Sequence, residues 1–112
     1  MDDANIMKSK IAVEFIGTFF LSLTICLAAA HGLAGESAPF AIAAILMVSI
    51  YSGAHISGAH YNPVVTISIW IRGACEKSEV FPYIFAQLII SPRLYILLIP
   101  FLKESIIIMS LS

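Results

Sequence analysis

The chain has 112 residues, 60% of them hydrophobic and 12% charged, with a formal net charge of −1 and a mean hydropathy of +0.97. An ordinary soluble domain is about 45–50% apolar and about 25% charged, so this composition excludes one and predicts an integral membrane protein whose first partner is the lipid bilayer. No basic stripe points to nucleic acid, and Cys26 and Cys75 stand far apart without metal-ligand spacing, as small apolar filler does.

At about 20 residues per spanning helix, the length has room for about three, plus connections. The first predicted helix covers residues 11–31, "IAVEFIGTFFLSLTICLAAAH". Lys8 and Lys10 precede it as they would precede a signal peptide, and Ala28-Ala29-Ala30 imitates a cleavage site. The run is longer than an ordinary signal core, however, and a second apolar segment soon follows, so we read it as a retained helix. Its one charge, Glu14, is open to two readings: a side chain that snorkels to the interface, or a functional group inside the membrane. The second helix is predicted over 38–56, with Pro39 in the first turn where its missing N–H is harmless.

The chain then changes character at Ser57–Thr66, "SGAHYNPVVT". Small and polar residues lead to an Asn-Pro pair, and the apolar run after it, 63–71, reaches only about half-way through a hydrocarbon core. A polar link, 72–79, leads to a third helix from 80 to 90 onward, which is predicted to turn irregular at Ser91-Pro92-Arg93. Lys8 and Lys10 flank the first helix, the loop 32–37 has no Lys or Arg, and Arg72 and Lys77 follow the half-length run. The positive-inside rule therefore sets the N-terminus in the cytoplasm, and the half-length helix enters and leaves from that side.

Re-entrant backbone cannot be satisfied by lipid and survives only against protein or beside a watery cavity. Asn62 is a good N-cap and Pro63 a good first helical residue, so a helix is predicted to begin inside the membrane with its positive end near the midplane. Gly58 and Ala59 have almost no side chain and let the incoming segment turn carbonyls to a lumen. Those acceptors, with the Asn62 amide as donor, would replace the hydration of a small polar molecule, while the positive helix end would oppose cations.

At these residues the chain resembles the aquaporin/glycerol-facilitator (major intrinsic protein) family, in its bacterial form. "SGAHYNPVVT" is similar to the family's first signature, SGAHxNPAVT; "VEFIGTFFL" at Val13–Leu21, "AHISGAH" before the motif and "VFPYIFAQL" at Val80–Leu88 fit as well. The resemblance covers about residues 8–90, the N-terminal half of a family member. It implies an all-α membrane protein, the first half-repeat of the aquaporin fold, with three transmembrane helices and one re-entrant half-helix. It further implies that Asn62 is a pore asparagine with Pro63 and Val64 holding its helix cap. Carbonyls of Gly58, Ala59 and His60 would line the cytoplasmic half-pore, and Glu14 would brace the loop. Ile42, twenty residues before Asn62, would contribute to the outer selectivity filter. A water or small neutral solute would be the cargo, a homo-tetramer the assembly and the cell membrane the location, with no cofactor or metal.

Plainer readings stand beside these. The His60 ring suits a packing role better than a lumen, and Ile42 serves equally as lipid-facing or core filler. Val64 stands where the family usually has alanine, and its added methyl groups would crowd the midplane against an opposing motif. After Leu88 the pattern departs from the family: Pro92, Pro100 and Arg93 interrupt the third helix, and we expect residues 91–112 to be a frameshifted or truncated tail, the alternative being a divergent native helix. The predicted function is a channel for water or small neutral solutes, incomplete in these residues. Its alternatives are a truncated non-conducting or regulatory fragment that associates with full-length protomers, and an antiparallel homodimer, against which the Lys/Arg placement argues. No nucleophile, base and orienting group converge, His60 with Glu14 being the nearest pair, so no enzyme is predicted.

Overall fold

Asp2 starts the first helix. In the computed structural model, which describes residues 2–111 and of residues 91–98, 101 and 102 the backbone alone, the Asp2 side chain accepts a hydrogen bond from the Asn5 N–H at 2.8 Å. That cap, with Asp3 in the first turn, favours the positive helix end. Helix α1 therefore runs Asp3–Ile25, starting well before the apolar stretch that predicted it at residue 11. The apolar run marks where the chain enters lipid; capping chemistry marks where the helix begins. A π-helical turn, Cys26–Ala30, widens its end, and His31 N–H bonds back to the Cys26 carbonyl at 3.0 Å.

Helix α2 covers Ala38–Ser57, entered through a 3₁₀ turn at Gly35–Ser37 with Pro39 in its first turn. It ends at Gly58, whose φ of +87° lies in the left-handed region and whose N–H bonds to the Ala54 carbonyl at 3.0 Å. Helix α3, Pro63–Ile71, has nine residues, about 14 Å of helix, roughly half of a bilayer core. Helix α4 runs unbroken over Lys77–Leu111, 35 residues and about 52 Å. The irregularity expected at Ser91-Pro92-Arg93 is absent from the backbone, which is helical there and through Pro100; the Arg93 side chain lies outside the described residues. A proline removes one helical hydrogen bond at about 3 kcal/mol, but breaking the helix in lipid would strand several backbone groups at several kcal/mol each.

α1 is the hub, packing against both α2 and α4, while α3 packs on α4. Lys10 and Glu79 form an ion pair between the starts of α1 and α4. In the link before α4, burial and the neighbouring Glu79 carboxylate push the Cys75 thiol above its usual pKa; Cys26 is buried.

The polarity is inside-out for water and right for lipid. Phe40, Tyr51 and Phe81 are each more than three-quarters exposed, whereas Glu14, Thr66, Gln87 and Tyr83 are fully buried. Among the described residues, Asp3–Ala30 and Gly35–Ser57 are long and apolar enough to cross a membrane. Only 28% and 17% of their apolar windows are buried, so neither is the core helix of a soluble protein.

The turn at Gly58 yields a first prediction. Gly58→Ala forces a side chain into the left-handed region and sets its Cβ 3.3 Å from His60 Nε2. Thermal unfolding in micelles is expected to show a loss of about 1–2 kcal/mol; an unchanged midpoint would show that the turn readily relaxes.

Candidate functional site

Five residues, Gly58–Asn62, join α2 to the half-helix, and their backbone is unusual. Ala59 and Tyr61 have φ of +56° and +59°, so with Gly58 three of the five are left-handed. For non-glycine residues this costs about 1–2 kcal/mol each and persists only where the surroundings impose it.

The imposing group is Glu14, fully buried on α1. Its Oε1 accepts from the Ser57 hydroxyl at 2.8 Å and the His60 N–H at 2.9 Å. Its Oε2 accepts from the Tyr61 N–H at 2.7 Å and the Gln87 amide at 2.9 Å. One carboxylate thus ties α1, the end of α2, the loop and α4 together. Four donors, two on each oxygen, replace the water that a buried carboxylate loses.

Neighbouring groups complete the frame. Ala59 N–H donates to Ser57 Oγ at 3.1 Å, the Thr18 hydroxyl donates to the Tyr61 carbonyl at 3.3 Å, and the Tyr83 hydroxyl donates to the Ser57 carbonyl at 2.7 Å. Thr66 on α3 receives the Gln87 amide at 3.1 Å, lies 3.0 Å from His60 Nδ1, and contacts the Asn62 carbonyl at 3.3 Å. The His60 ring is buried and packs at a tilt on Tyr83, with centroids 5.0 Å apart.

The accounting of backbone groups is lopsided. The N–H groups of Ala59, His60 and Tyr61 are all consumed by Ser57 and Glu14. The carbonyls of Gly58, Ala59 and His60 take no hydrogen bond from any described residue. Asn62 Oδ1 accepts the Val64 N–H at 2.8 Å and so caps α3, with the Asn62 backbone extended at φ −155° and Pro63 in the first turn. The residue is exposed, and its carboxamide nitrogen stands clear of that cap. Val64 projects from the same turn, 70% exposed.

Glu14, Gly58, Ala59, His60, Asn62, Pro63 and Val64 therefore come together. Ile42 does not: it is half-buried near the start of α2, about 24 Å along the helix from Gly58. An apolar groove of about 420 Å³ between α1 and α2 is lined by Val13, Phe20 and Val48 and by the Tyr61 ring, and Asn62 is not part of it. Among the described residues, no three His, Cys, Asp or Glu side chains cluster as a metal site would need.

Sequence reasoning missed Gln87, Thr66, Tyr83, Thr18, Ser57 and Tyr61. Gln87 was detectable as one amide in an apolar run, because a polar side chain in lipid needs a partner. The others carry no such signal, since hydroxyls bond their own helix as readily.

Glu14→Gln tests the frame. An amide keeps one acceptor oxygen and turns an NH₂ toward the two donors on the other side. Each buried donor left unmet costs about 1–3 kcal/mol. Unfolding in micelles should show a loss of that order, with faster hydrogen exchange at the His60 and Tyr61 amides. Unchanged exchange there would overturn the bracing role.

Comparison with known proteins shows the family. A sequence model of the major intrinsic protein family matches residues 34–98. The chain is 41% identical over 92 residues to Aquaporin Z of Photorhabdus laumondii, covering 74% of this chain and 39% of that protein. It is 37% identical over 87 residues to Aquaporin Z of Bradyrhizobium diazoefficiens, covering 70% and 35%. Against the Glycerol uptake facilitator protein of Buchnera aphidicola it is 39% identical over 90 residues, covering 74% and 34%. It thus spans between 34% and 39% of the length of these relatives. No solved structure gives a significant match. The family model covers the motif, the half-helix, α2 and α4 as far as residue 98, and the chain belongs to the major intrinsic protein family.

Proposed function

We propose that these residues form one wall of a channel for water or another small neutral solute, in the cell membrane, with the N-terminus in the cytoplasm. One observation carries the reading: every N–H of Ala59–Tyr61 turns inward to Ser57 and Glu14, leaving three carbonyls and the Asn62 amide for a guest. A single file of water needs alternating acceptors and donors to replace its hydration, and these groups are both. The positive end of α3, beginning at Pro63, opposes cations at the same depth. Asn62 acts as the donor, Pro63 and Val64 hold its cap, and Ile42 belongs to a filter nearer the other membrane face. Relatives named for water and for glycerol both match; the bulk of Val64, compared with alanine, favours the smaller cargo. A pore needs a second wall, which the 112 residues do not encode beside the first; a homo-tetramer is the assembly that the family resemblance implies.

Orientation is testable directly. Glycosylation tags in the loop 32–37 should be modified from outside the cytoplasm, because that loop lacks Lys and Arg while Lys8, Lys10, Arg72 and Lys77 flank the other ends. Failure of a tag there, with modification of one at 73–76, would reverse the topology.

Conduction is tested in a chimera that joins residues 1–90 to the remaining length of the Photorhabdus laumondii relative. Reconstituted in vesicles, it should shrink faster than bare lipid in stopped flow. Asn62→Ala should slow that flux and weaken folding by about 0.5–2 kcal/mol through loss of the cap. Asn62→Asp keeps the capping oxygen but removes the amide donor, and Val64→Ala should leave flux equal or higher. A folded chimera without flux, or full flux with full cation exclusion in Asn62→Asp, would sink the donor role. The 112 residues alone should give little permeability above bare lipid.

A further inference from the structure

Tyr61 is 3% exposed, carries a bulky ring at φ +59°, and lies next to Asn62. Such a residue is a genuine outlier unless something holds it. Three of its polar groups are engaged on two different helices. Its N–H donates to Glu14 and its carbonyl accepts from Thr18, both on α1. Its hydroxyl donates to the Ser49 carbonyl on α2 at 2.7 Å.

The ring occupies a space that only two glycines leave open. A Cβ at Gly17 would overlap ring carbons Cδ1, Cε1 and Cζ. A Cβ at Gly53 would overlap the phenolic oxygen while leaving Cζ at 3.4 Å; it would also crowd Val13 Cγ1 at 2.7 Å. Small residues on adjacent membrane helices usually let two backbones approach. Here the space between them holds an aromatic ring.

We propose that Tyr61 is the positioning residue of the Asn62 loop: its ring is keyed into a notch formed by Gly17 of α1 and Gly53 of α2, and this keying fixes the left-handed turn that aims Asn62 at the start of α3. Turning Tyr61 out of that conformation rotates the peptide that leads into Asn62. The Val64 N–H, which Asn62 Oδ1 accepts, reports on that aim. The proposal concerns how the loop is set and stands apart from whether the chain conducts.

The two glycines face different atoms of one ring, so they respond differently to loss of the hydroxyl. The test uses the 112-residue chain in bicelles, on a Val13→Ala background that removes the crowded methyl. Melting midpoint and the valine-labelled Val64 amide resonance are read together. Gly53→Ala should lower the midpoint and move the resonance; adding Tyr61→Phe, which takes away the overlapping oxygen, should recover most of both losses. Gly17→Ala should lower the midpoint too, and Tyr61→Phe should not recover it, because the ring carbons remain. Losses that simply add for Gly53→Ala and Tyr61→Phe, or a Gly53→Ala chain like its parent, would overturn the proposal. If Gly53→Ala fails to fold, a folded double variant supports the keying and an unfolded one overturns it. Recovery of the midpoint without return of the Val64 resonance would make Tyr61 a packing residue only.

Discussion

One buried carboxylate holds the four helices and their connecting loop in shape. Glu14 sits on the hub helix α1 with no exposed surface, and its two oxygens receive donors from α2, the loop and α4. A buried charge is tolerated only when its lost hydration is replaced, so the carboxylate and its donors are mutually required. Those bonds hold the His60 and Tyr61 N–H groups of the left-handed loop, and the loop in turn delivers the chain to the start of α3. The direction in which the carbonyls face is thus a consequence of where the N–H groups had to go.

This arrangement inverts a soluble core. Among the described residues, Thr66, Gln87, Tyr83 and Glu14 are the largest fully buried side chains, and many large apolar side chains face outward. Lipid does not drive apolar surfaces together, so helix association falls to polar contacts and close fit. The Gln87 amide shows this, bridging Glu14 on α1 to Thr66 on α3. The Tyr61 ring between Gly17 and Gly53 supplies the fit.

Much of the architecture was legible in the chain, for identifiable reasons. Apolar runs expose spanning helices because the bilayer sets their length, and Asn62-Pro63 exposes a helix start because cap chemistry is local. Glu14 was legible through its family resemblance and through the rarity of charge in such a run. Helix ends were less so: α1 begins at Asp3 because Asp2 caps it, which hydrophobicity does not register. The passage of α4 through Pro92 and Pro100 was misjudged because proline rules come from water, where a broken helix finds other partners. The Tyr61 notch was hidden because it joins residues 17, 53 and 61, and nothing local pairs two glycines with a distant phenol.

The order of synthesis adds a requirement that the finished fold conceals. The donors to Glu14 follow it in the chain by 43, 46, 47 and 73 residues. At roughly 5–20 residues per second, the last partner, Gln87, is made roughly 4–15 seconds after the carboxylate itself. During that interval α1 carries an acidic group toward lipid without its final neighbours, at about 2.5–3.5 kcal/mol if it reached the bilayer centre. In the topology proposed above, Glu14 lies near the cytoplasmic end of the apolar run, close to Lys8 and Lys10. In that topology the carboxylate is within reach of the headgroups until the loop and α4 supply its donors, while the rest of α1 is held by its own hydrophobicity. Timing as well as geometry favours a brace near the first residues of the apolar run.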